Sequence, residues 1–263
     1  DQTFWDHADV LRKYLIRSIL IILILSIAAF FFKDFLFNTI ILGPKHPDFI
    51  TYRFFCALGK YLHVDGLCFD EIPFILINID IGGQFRWHMI ISIVTGVIVG
   101  FPIILYQLWL FIKPALKPNE LKYSRGMIFY ITILFLLGVL FGYYIILPLT
   151  INFLANYELS SQIKNQITIS SYISTTTWLP ILTGLVFELP VLIYFLAKIG
   201  LITAKFLRKN RKYSIILILF IAALITPSTD MFTQLVVSVP FYALYEISIS
   251  IAARVDKKRQ QEE

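Results

Sequence analysis

Charged residues are scarce in this chain. They make up 15% of its 263 residues, whereas a soluble domain carries about a quarter. Hydrophobic residues account for 58% of the sequence, and the mean hydropathy is +0.76. This composition excludes an ordinary soluble globular protein. It predicts a polytopic membrane protein, with room for about six spans of ~20 apolar residues each.

Recognisable catalytic and metal-binding motifs are also absent from the sequence. There is no HExxH pair, no GxSxG element and no Walker-type Gly-Lys-Ser/Thr, and no two of the four histidines have metal-ligand spacing. A membrane enzyme is therefore unsupported, and no cofactor or metal is expected. The net charge of +6 does not indicate nucleic-acid binding, because it follows from where the basic residues lie between apolar segments.

Cysteine occurs only at Cys56 and Cys68, which fall in one long segment between the first two apolar runs. If that segment faces an oxidising compartment, a disulfide between the two is plausible. A pair of free thiols is an equal alternative. The first apolar run, 14–32, is too long for the core of a signal peptide and lacks a small-residue cleavage site, so no cleavable signal peptide is predicted.

Six apolar segments predict six transmembrane helices within a single transmembrane domain, 1–263. The predicted spans are 14–36, 88–112, 126–149, 171–197, 213–226 and 231–252. The fifth would reach only about 21 Å as a helix, against a hydrocarbon core of ~30 Å. The two short C-terminal spans therefore predict a cupped bundle in a locally thinned bilayer.

Lysine and arginine predict the orientation of these spans. Basic residues cluster before span one, between spans two and three, between spans four and five, and after span six. Because basic loops stay in the cytoplasm, both termini are predicted to be cytoplasmic. The segment 37–87 then forms an extracytoplasmic cap loop, in which 53–62 is a candidate short helix and 74–80 an extended piece. No internal repeat is evident, which counts against a standard secondary transporter.

Glu188 lies in the middle of the fourth apolar segment, two residues before Pro190. A carboxylate at bilayer depth costs at least a few kcal/mol, so it usually has a function. The proline weakens the helix at the same point. Because a low-dielectric surrounding favours the neutral carboxyl group, we expect Glu188 to be protonated at rest and to hydrogen-bond a partner helix. A purely structural hydrogen bond to a neighbouring helix is the alternative.

Glu120 stands at the start of span three, after the loop that follows Tyr106, Trp109 and Phe111. The three aromatic residues are predicted to anchor the membrane boundary. An acid at this position favours the helix dipole, which is the simpler interpretation. The alternative is that Glu120 binds a guanidinium group through two charge-assisted hydrogen bonds.

The chain resembles the TatC family, the core subunit of the Sec-independent twin-arginine protein translocase. The resemblance covers nearly the whole chain and rests on several motifs. They are His7 with Leu11-Arg12, Tyr106-Gln107-Leu108-Trp109 through Pro114-Ala115-Leu116 to Glu120, Phe141-Gly142-Tyr143, Phe187-Glu188-Leu189-Pro190, Ile225-Thr226-Pro227 with Asp230 and Gln234, and Leu244-Tyr245-Glu246.

The resemblance implies a receptor and scaffold in the bacterial cytoplasmic membrane. It would bind twin-arginine signal peptides of folded proteins, and export them with single-span TatA/TatB-like subunits at the expense of the proton motive force. The signal-peptide site would include Glu120, Phe111 and the N-terminal segment with Asp9 and Arg12. Homo-oligomers within a receptor complex are also implied. No role for nucleic acid is expected.

The resemblance also assigns roles within the membrane. Glu188 matches an intramembrane acid on the concave side of the bundle. Gln234 and the two short spans match the region where the single-span subunits dock, and Asp230 matches an acid in the turn between those spans. For Asp230, capping of the last helix is an equally good interpretation.

One position departs from the family pattern. The N-terminal motif usually reads His-Leu-x-Glu-Leu-Arg, but here Val10 stands in place of the glutamate and the acid is Asp9. One residue along a helix is a rotation of about 100°. Either Asp9 supplies the carboxylate from a shifted face, or the receptor depends more heavily on Glu120.

Two other functions compete with this interpretation. A small-solute or ion transporter would use Glu188 as its coupling site and would show flux from this chain alone. An intramembrane enzyme would need a second polar residue facing Glu188, for which Thr183 is the nearest candidate. Neither explains the acid in the first cytoplasmic loop or the two shortened spans.

Overall fold

The structure is a computed structural model that describes residues 4–63, 74–113, 118–157, 160, 165–226 and 231–262. Its helices, in chain order, are α1 (Phe4–Phe31), α2 (Ile50–Leu62), α3 (Gly83–Ile112), α4 (Pro118–Phe141), α5 (Leu147–Asn156), α6 (Ile169–Phe187), α7 (Leu189–Lys198), α8 (Ala204–Lys209), α9 (Arg211–Ile225) and α10 (Met231–Glu262). π-Helical turns occupy Phe35–Ile41 and Gly142–Ile146, and Gly43–Lys45 is a 3₁₀ turn. Strands β1 (Ile75–Ile77) and β2 (Gln166–Thr168) pair as a two-stranded sheet.

The predicted all-α membrane fold is confirmed. Five stretches of the described residues are long and apolar enough to cross a membrane: Asp9–Phe31, Gly83–Phe111, Gly126–Asn156, Ile169–Lys198 and Thr233–Lys258. The predicted fifth span, 213–226, corresponds to α9, whose 15 residues reach about 22 Å. The count of six spans and the cytoplasmic termini stay predictions.

Several helices extend beyond the predicted spans, and α4, for example, begins at Pro118 instead of 126. α1 begins at Phe4 instead of 14, α3 begins at Gly83 instead of 88, and α10 continues to Glu262 instead of ending at 252. Hydropathy marks only the part of a helix that lipid covers. The helical hydrogen bonding continues outside it wherever the residues are good helix formers, such as the Arg, Lys, Gln and Glu residues after 252.

Packing divides the chain into two compact units, which are described separately. The first comprises Asp1–Gly43, Leu76–Leu136 and Thr168–Thr177. The second comprises Pro44–Ile75, Leu137–Ile167 and Trp178–Glu263. The single domain 1–263 stays a prediction.

In the first unit, α1 and α3 run antiparallel along each other. The His88 ring is stacked on that of Phe30, with 4.0 Å between centroids. Further along, a Cβ atom on Gly96 would lie only 2.9 Å from the backbone nitrogen of Ser26. Gly96 therefore lets the two helix backbones approach, as small residues commonly do in membranes.

The second unit contains a break in a membrane-spanning stretch, the joint between α4 and α5. In a regular α-helix the N–H of residue 148 would bond to the carbonyl oxygen of Tyr144, but Pro148 has no N–H. The chain passes through the π-helical turn here. The Thr51 hydroxyl of α2 donates a hydrogen bond to that carbonyl oxygen. A side chain of α2 thus donates a hydrogen bond to the backbone at the break.

The neighbouring residues of α2 strengthen this contact. The Tyr52 hydroxyl is within hydrogen-bonding distance of the carbonyl oxygens of Pro44 (2.9 Å) and Pro148 (3.2 Å). The Phe49 ring is stacked on the Tyr144 ring at 5.7 Å. The helix predicted at 53–62 is thus confirmed as α2, and the extended piece predicted at 74–80 as β1.

Candidate functional site

The sequence-predicted recognition residues lie at one end of the first unit. The antiparallel pairing of α1 with α3 brings the start of α1, with Asp9 and Arg12, to the end of the pair where Phe111 lies. The side chains of Asp9 and Arg12 are exposed, and that of Phe111 is half-buried. An acid and two potential peptide contacts are therefore available at this end.

Glu120 belongs to the same end of this unit. It is the third residue of α4, and α4 begins six residues after α3 ends. Six peptide steps span at most about 20 Å, so the start of α4 stays close to the end of α3. Because backbone N–H groups at a helix start are positive, the first turn of α4 is a favourable place for a carboxylate.

The burial of Trp109 differs from what the sequence predicts. It was expected in an aromatic belt at the membrane boundary, but only 6% of its surface is exposed. Its ring lies 5.9 Å from that of Tyr106, and the Lys113 ammonium lies 5.4 Å above its centroid. A tryptophan with protein neighbours on several sides shapes the end of α3 instead of anchoring it in lipid.

Two polar atoms near Phe111 were missed by sequence reasoning. The Nε1 of Trp109 and the Oε1 of Gln107 are buried and have no hydrogen-bond partner in the described part of the chain. A buried polar atom without a partner is costly. The sequence did carry a signal, because Gln107 is a polar residue inside an apolar run.

Glu188 marks the boundary between α6, which ends at Phe187, and α7, which begins at Leu189. The predicted helix break at this position is therefore confirmed. Both carboxylate oxygens are buried, and the carboxylate does not cap α7. The Glu188 carbonyl oxygen instead accepts the N–H groups of Val191 and Leu192, each at 3.0 Å.

Aromatic residues and glycine surround this break within the second unit. The Phe187 ring lies 5.5 Å from that of Phe141 and 6.3 Å from that of Phe241. A Cβ atom on Gly138 would be 2.7 Å from the Cβ of Phe187. The helix break at Glu188 thus directly follows a residue, Phe187, that packs tightly against apolar neighbours.

Gln234 bridges the two C-terminal helices. Its Nε2 donates a hydrogen bond of 3.3 Å to the carbonyl oxygen of Leu219 in α9. The side chain is half-buried, so it has both an internal role and a surface that a partner can reach. Asp230 lies outside the described residues, and its predicted roles stay predictions.

Cys56 of α2 forms a disulfide. Among the described residues no cysteine is free, but Cys68 lies outside them. The pairing of Cys56 with Cys68 therefore stays a prediction.

The family model for the Sec-independent protein translocase protein (TatC) matches residues 6–240. The chain is 41% identical to the Sec-independent protein translocase protein TatC of Blattabacterium over 261 residues, which covers 98% of each chain. It is 35% identical to the protein of that name from Carboxydothermus hydrogenoformans over 256 residues, with 97% and 95% covered.

The chain also resembles solved structures of TatC proteins. The chain is similar to a crystal structure of the twin arginine translocase receptor TatC in DDM, with a TM-score of 0.67 and 33% identity. The match covers 94% of this chain and 99% of that one. The comparisons give no support to the transporter hypothesis.

Proposed function

This chain belongs to the Sec-independent protein translocase TatC family, and we propose that it is the receptor and scaffold subunit that binds twin-arginine signal peptides. As a member of this family it is a multi-pass protein of the bacterial inner membrane. The observation that carries the proposal is the placement of Glu120, on the first turn of α4, at the end of the first unit where Asp9, Arg12 and Phe111 lie.

The chemistry of this end suits a peptide with paired arginines. An arginine guanidinium presents parallel N–H groups that a carboxylate accepts in a fork, which a lysine ammonium does not provide. Glu120 is the acid we assign to this contact. Asp9 is the second acid, because Val10 has no carboxylate to offer. Phe111 supplies an apolar surface for the residues that flank the arginines.

The second unit supports a role for partner subunits. We assign Glu188 as an intramembrane hydrogen-bond donor toward a polar group of a partner helix, since its carboxyl group lies at a helix break in an apolar stretch. Gln234 and the short helix α9 are the proposed docking region for single-span TatA/TatB-like subunits. Asp230 belongs to the same proposal. Energy would come from the proton motive force, as in the family.

Export of a folded reporter tests the receptor role. The reporter would carry a twin-arginine signal peptide in cells that lack their own TatC and express this chain with its cognate single-span subunits. We expect Glu120→Gln to reduce export at least about tenfold, since a charge-assisted bidentate contact is lost. Glu120→Asp is the matched control and should retain part of the export. Wild-type export by Glu120→Gln, at equal membrane abundance, would contradict the proposal.

A further inference from the structure

The segment between α7 and α9 carries an unusual mixture of exposed side chains. Lys205, Arg208 and Lys209 of α8 are exposed, and in the described part of the chain no carboxylate forms a salt bridge with them. Exposed apolar side chains lie among these cations. Phe206 is 56% exposed and Leu201 is 72% exposed. We define these five residues as the α8 patch.

The opposite face of α8 is fixed to the protein. Ala204 and Leu207 are buried. The backbone N–H of Ala204 donates to the Asp256 carboxylate at 2.8 Å, and the Tyr245 hydroxyl donates to the Leu207 carbonyl oxygen at 2.9 Å. These two bonds hold the first and fourth residues of α8 against α10. The helix therefore presents one definite face outward, which is the face of the α8 patch.

The acids near the patch are already engaged. Asp256 accepts from the Ala204 backbone, and Glu246 accepts from Arg211 at 2.8 Å and from the Tyr242 hydroxyl at 2.8 Å. Because Asp256 bonds to the α8 backbone and Glu246 pairs with Arg211, neither carboxylate forms a salt bridge with a cation of the patch, and that positive charge is left for an external anion.

From these contacts we propose that the α8 patch is a binding surface for the headgroups of anionic phospholipids in the cytoplasmic leaflet. The patch lies in the short connection between α7, which ends a membrane-spanning stretch, and the apolar helix α9, so it stays at the bilayer surface. Clustered Lys and Arg residues just cytoplasmic of a membrane helix attract acidic lipids. Phe206 and Leu201 would enter the acyl boundary, which favours a lipid surface over a soluble acidic protein.

This binding goes beyond the receptor role and does not depend on it. A fixed acidic lipid beside α9 would hold the connection at a defined depth in the membrane. The cations would contact phosphate oxygens, and the apolar side chains would contact the acyl chains. The lipid would thus bind specifically at the α8 patch, and would not simply neutralise the positive charge of the protein.

Native mass spectrometry tests the proposal on the full chain in detergent with an equimolar mixture of phosphatidylglycerol and phosphatidylcholine. We expect wild type to retain phosphatidylglycerol preferentially. Arg208→Gln with Lys209→Gln should lower that preference at least about fivefold, since each surface cation near acidic lipid contributes about that factor. The control Arg53→Gln with Lys60→Gln removes two exposed charges of α2 and should leave the preference unchanged. Equal losses in both variants would overturn the proposal.

A second variant distinguishes lipid binding at a structured surface from nonspecific attraction to positive charge. Asp256→Ala with Tyr245→Phe removes both bonds that fix α8, while it makes the protein more positive. If net positive charge alone attracts the lipid, the preference for phosphatidylglycerol should rise in this variant. If the α8 patch binds the lipid, the preference should fall. Size-exclusion elution and thermal unfolding check that the variant is folded. If the Arg208 and Lys209 variant loses export but keeps its lipid preference, the patch binds a protein and the proposal is wrong.

Discussion

Two helix breaks in the second unit have opposite chemistry. At the α4–α5 joint, the Tyr144 carbonyl oxygen receives a hydrogen bond from Thr51. At the α6–α7 joint, a carboxyl group with buried oxygens, that of Glu188, lies at the break itself. Both breaks precede a proline, Pro148 or Pro190. One break receives a hydrogen bond from helix α2 of the same protein, and the other holds an ionisable group within a membrane-spanning stretch.

The comparison shows how a helix break with a structural role differs from one with a functional role. A proline costs a backbone hydrogen bond in either place, so the break alone does not indicate function. What distinguishes the second break is a residue that is expensive in lipid and that backbone repair does not require. We therefore expect changes at Glu188 to affect export more than stability, and changes at Thr51 to affect stability more than export.

The largest expected effect is at Glu188. Glu188→Ala should lower export of a twin-arginine reporter at least about tenfold, while Glu188→Gln retains most of it, because an amide can still donate a hydrogen bond as a protonated carboxyl group does. Reporter export at matched membrane abundance is the measurement. An equal loss of export in both variants would contradict the assignment of Glu188 as a protonated hydrogen-bond donor.

Packing beside the same break should be the next most sensitive feature. Gly138→Ala would place a methyl group 2.7 Å from the Cα of Gly184 and 2.7 Å from the Cβ of Phe187. We expect a loss of about 1–3 kcal/mol from overpacking, measured by thermal unfolding in detergent. Gly126→Ala is the matched control, since a Cβ there meets nothing within 4 Å. Equal stability of the two variants would mean that the helices separate at no cost.

A smaller effect is expected at the repaired break. Thr51→Val keeps the shape but removes the donor to the Tyr144 carbonyl oxygen, which should cost about 1 kcal/mol, the net contribution of a typical hydrogen bond. In a Pro148→Ala background the restored backbone N–H can supply that bond, so Thr51→Val should cost less there. A double-mutant cycle on unfolding in detergent measures this coupling. Additive costs would show that Thr51 does not compensate for Pro148.

Sequence reasoning captured the parts that depend on local signals. Hydropathy located the membrane-crossing helices, and Pro190 after Glu188 correctly predicted the end of α6. The family motif pointed to Glu120. The hydrogen bond from Thr51 to the Tyr144 carbonyl oxygen could not be predicted in this way, because the two residues are 93 positions apart in the sequence. Trp109 was misplaced for a related reason: a tryptophan near a helix end suits lipid or a packed interior equally well, and only the packing decides.

The receptor role is tested most directly by photocrosslinking from Asn119, the residue before Glu120, to a signal peptide. One peptide would carry paired arginines and its control paired lysines, which keep the charge but lose the fork geometry. We predict a crosslink that requires arginine and disappears in Glu120→Gln. Equal crosslinking of both peptides, or of neither, would contradict the account and leave Glu120 as an acid that stabilises the start of α4.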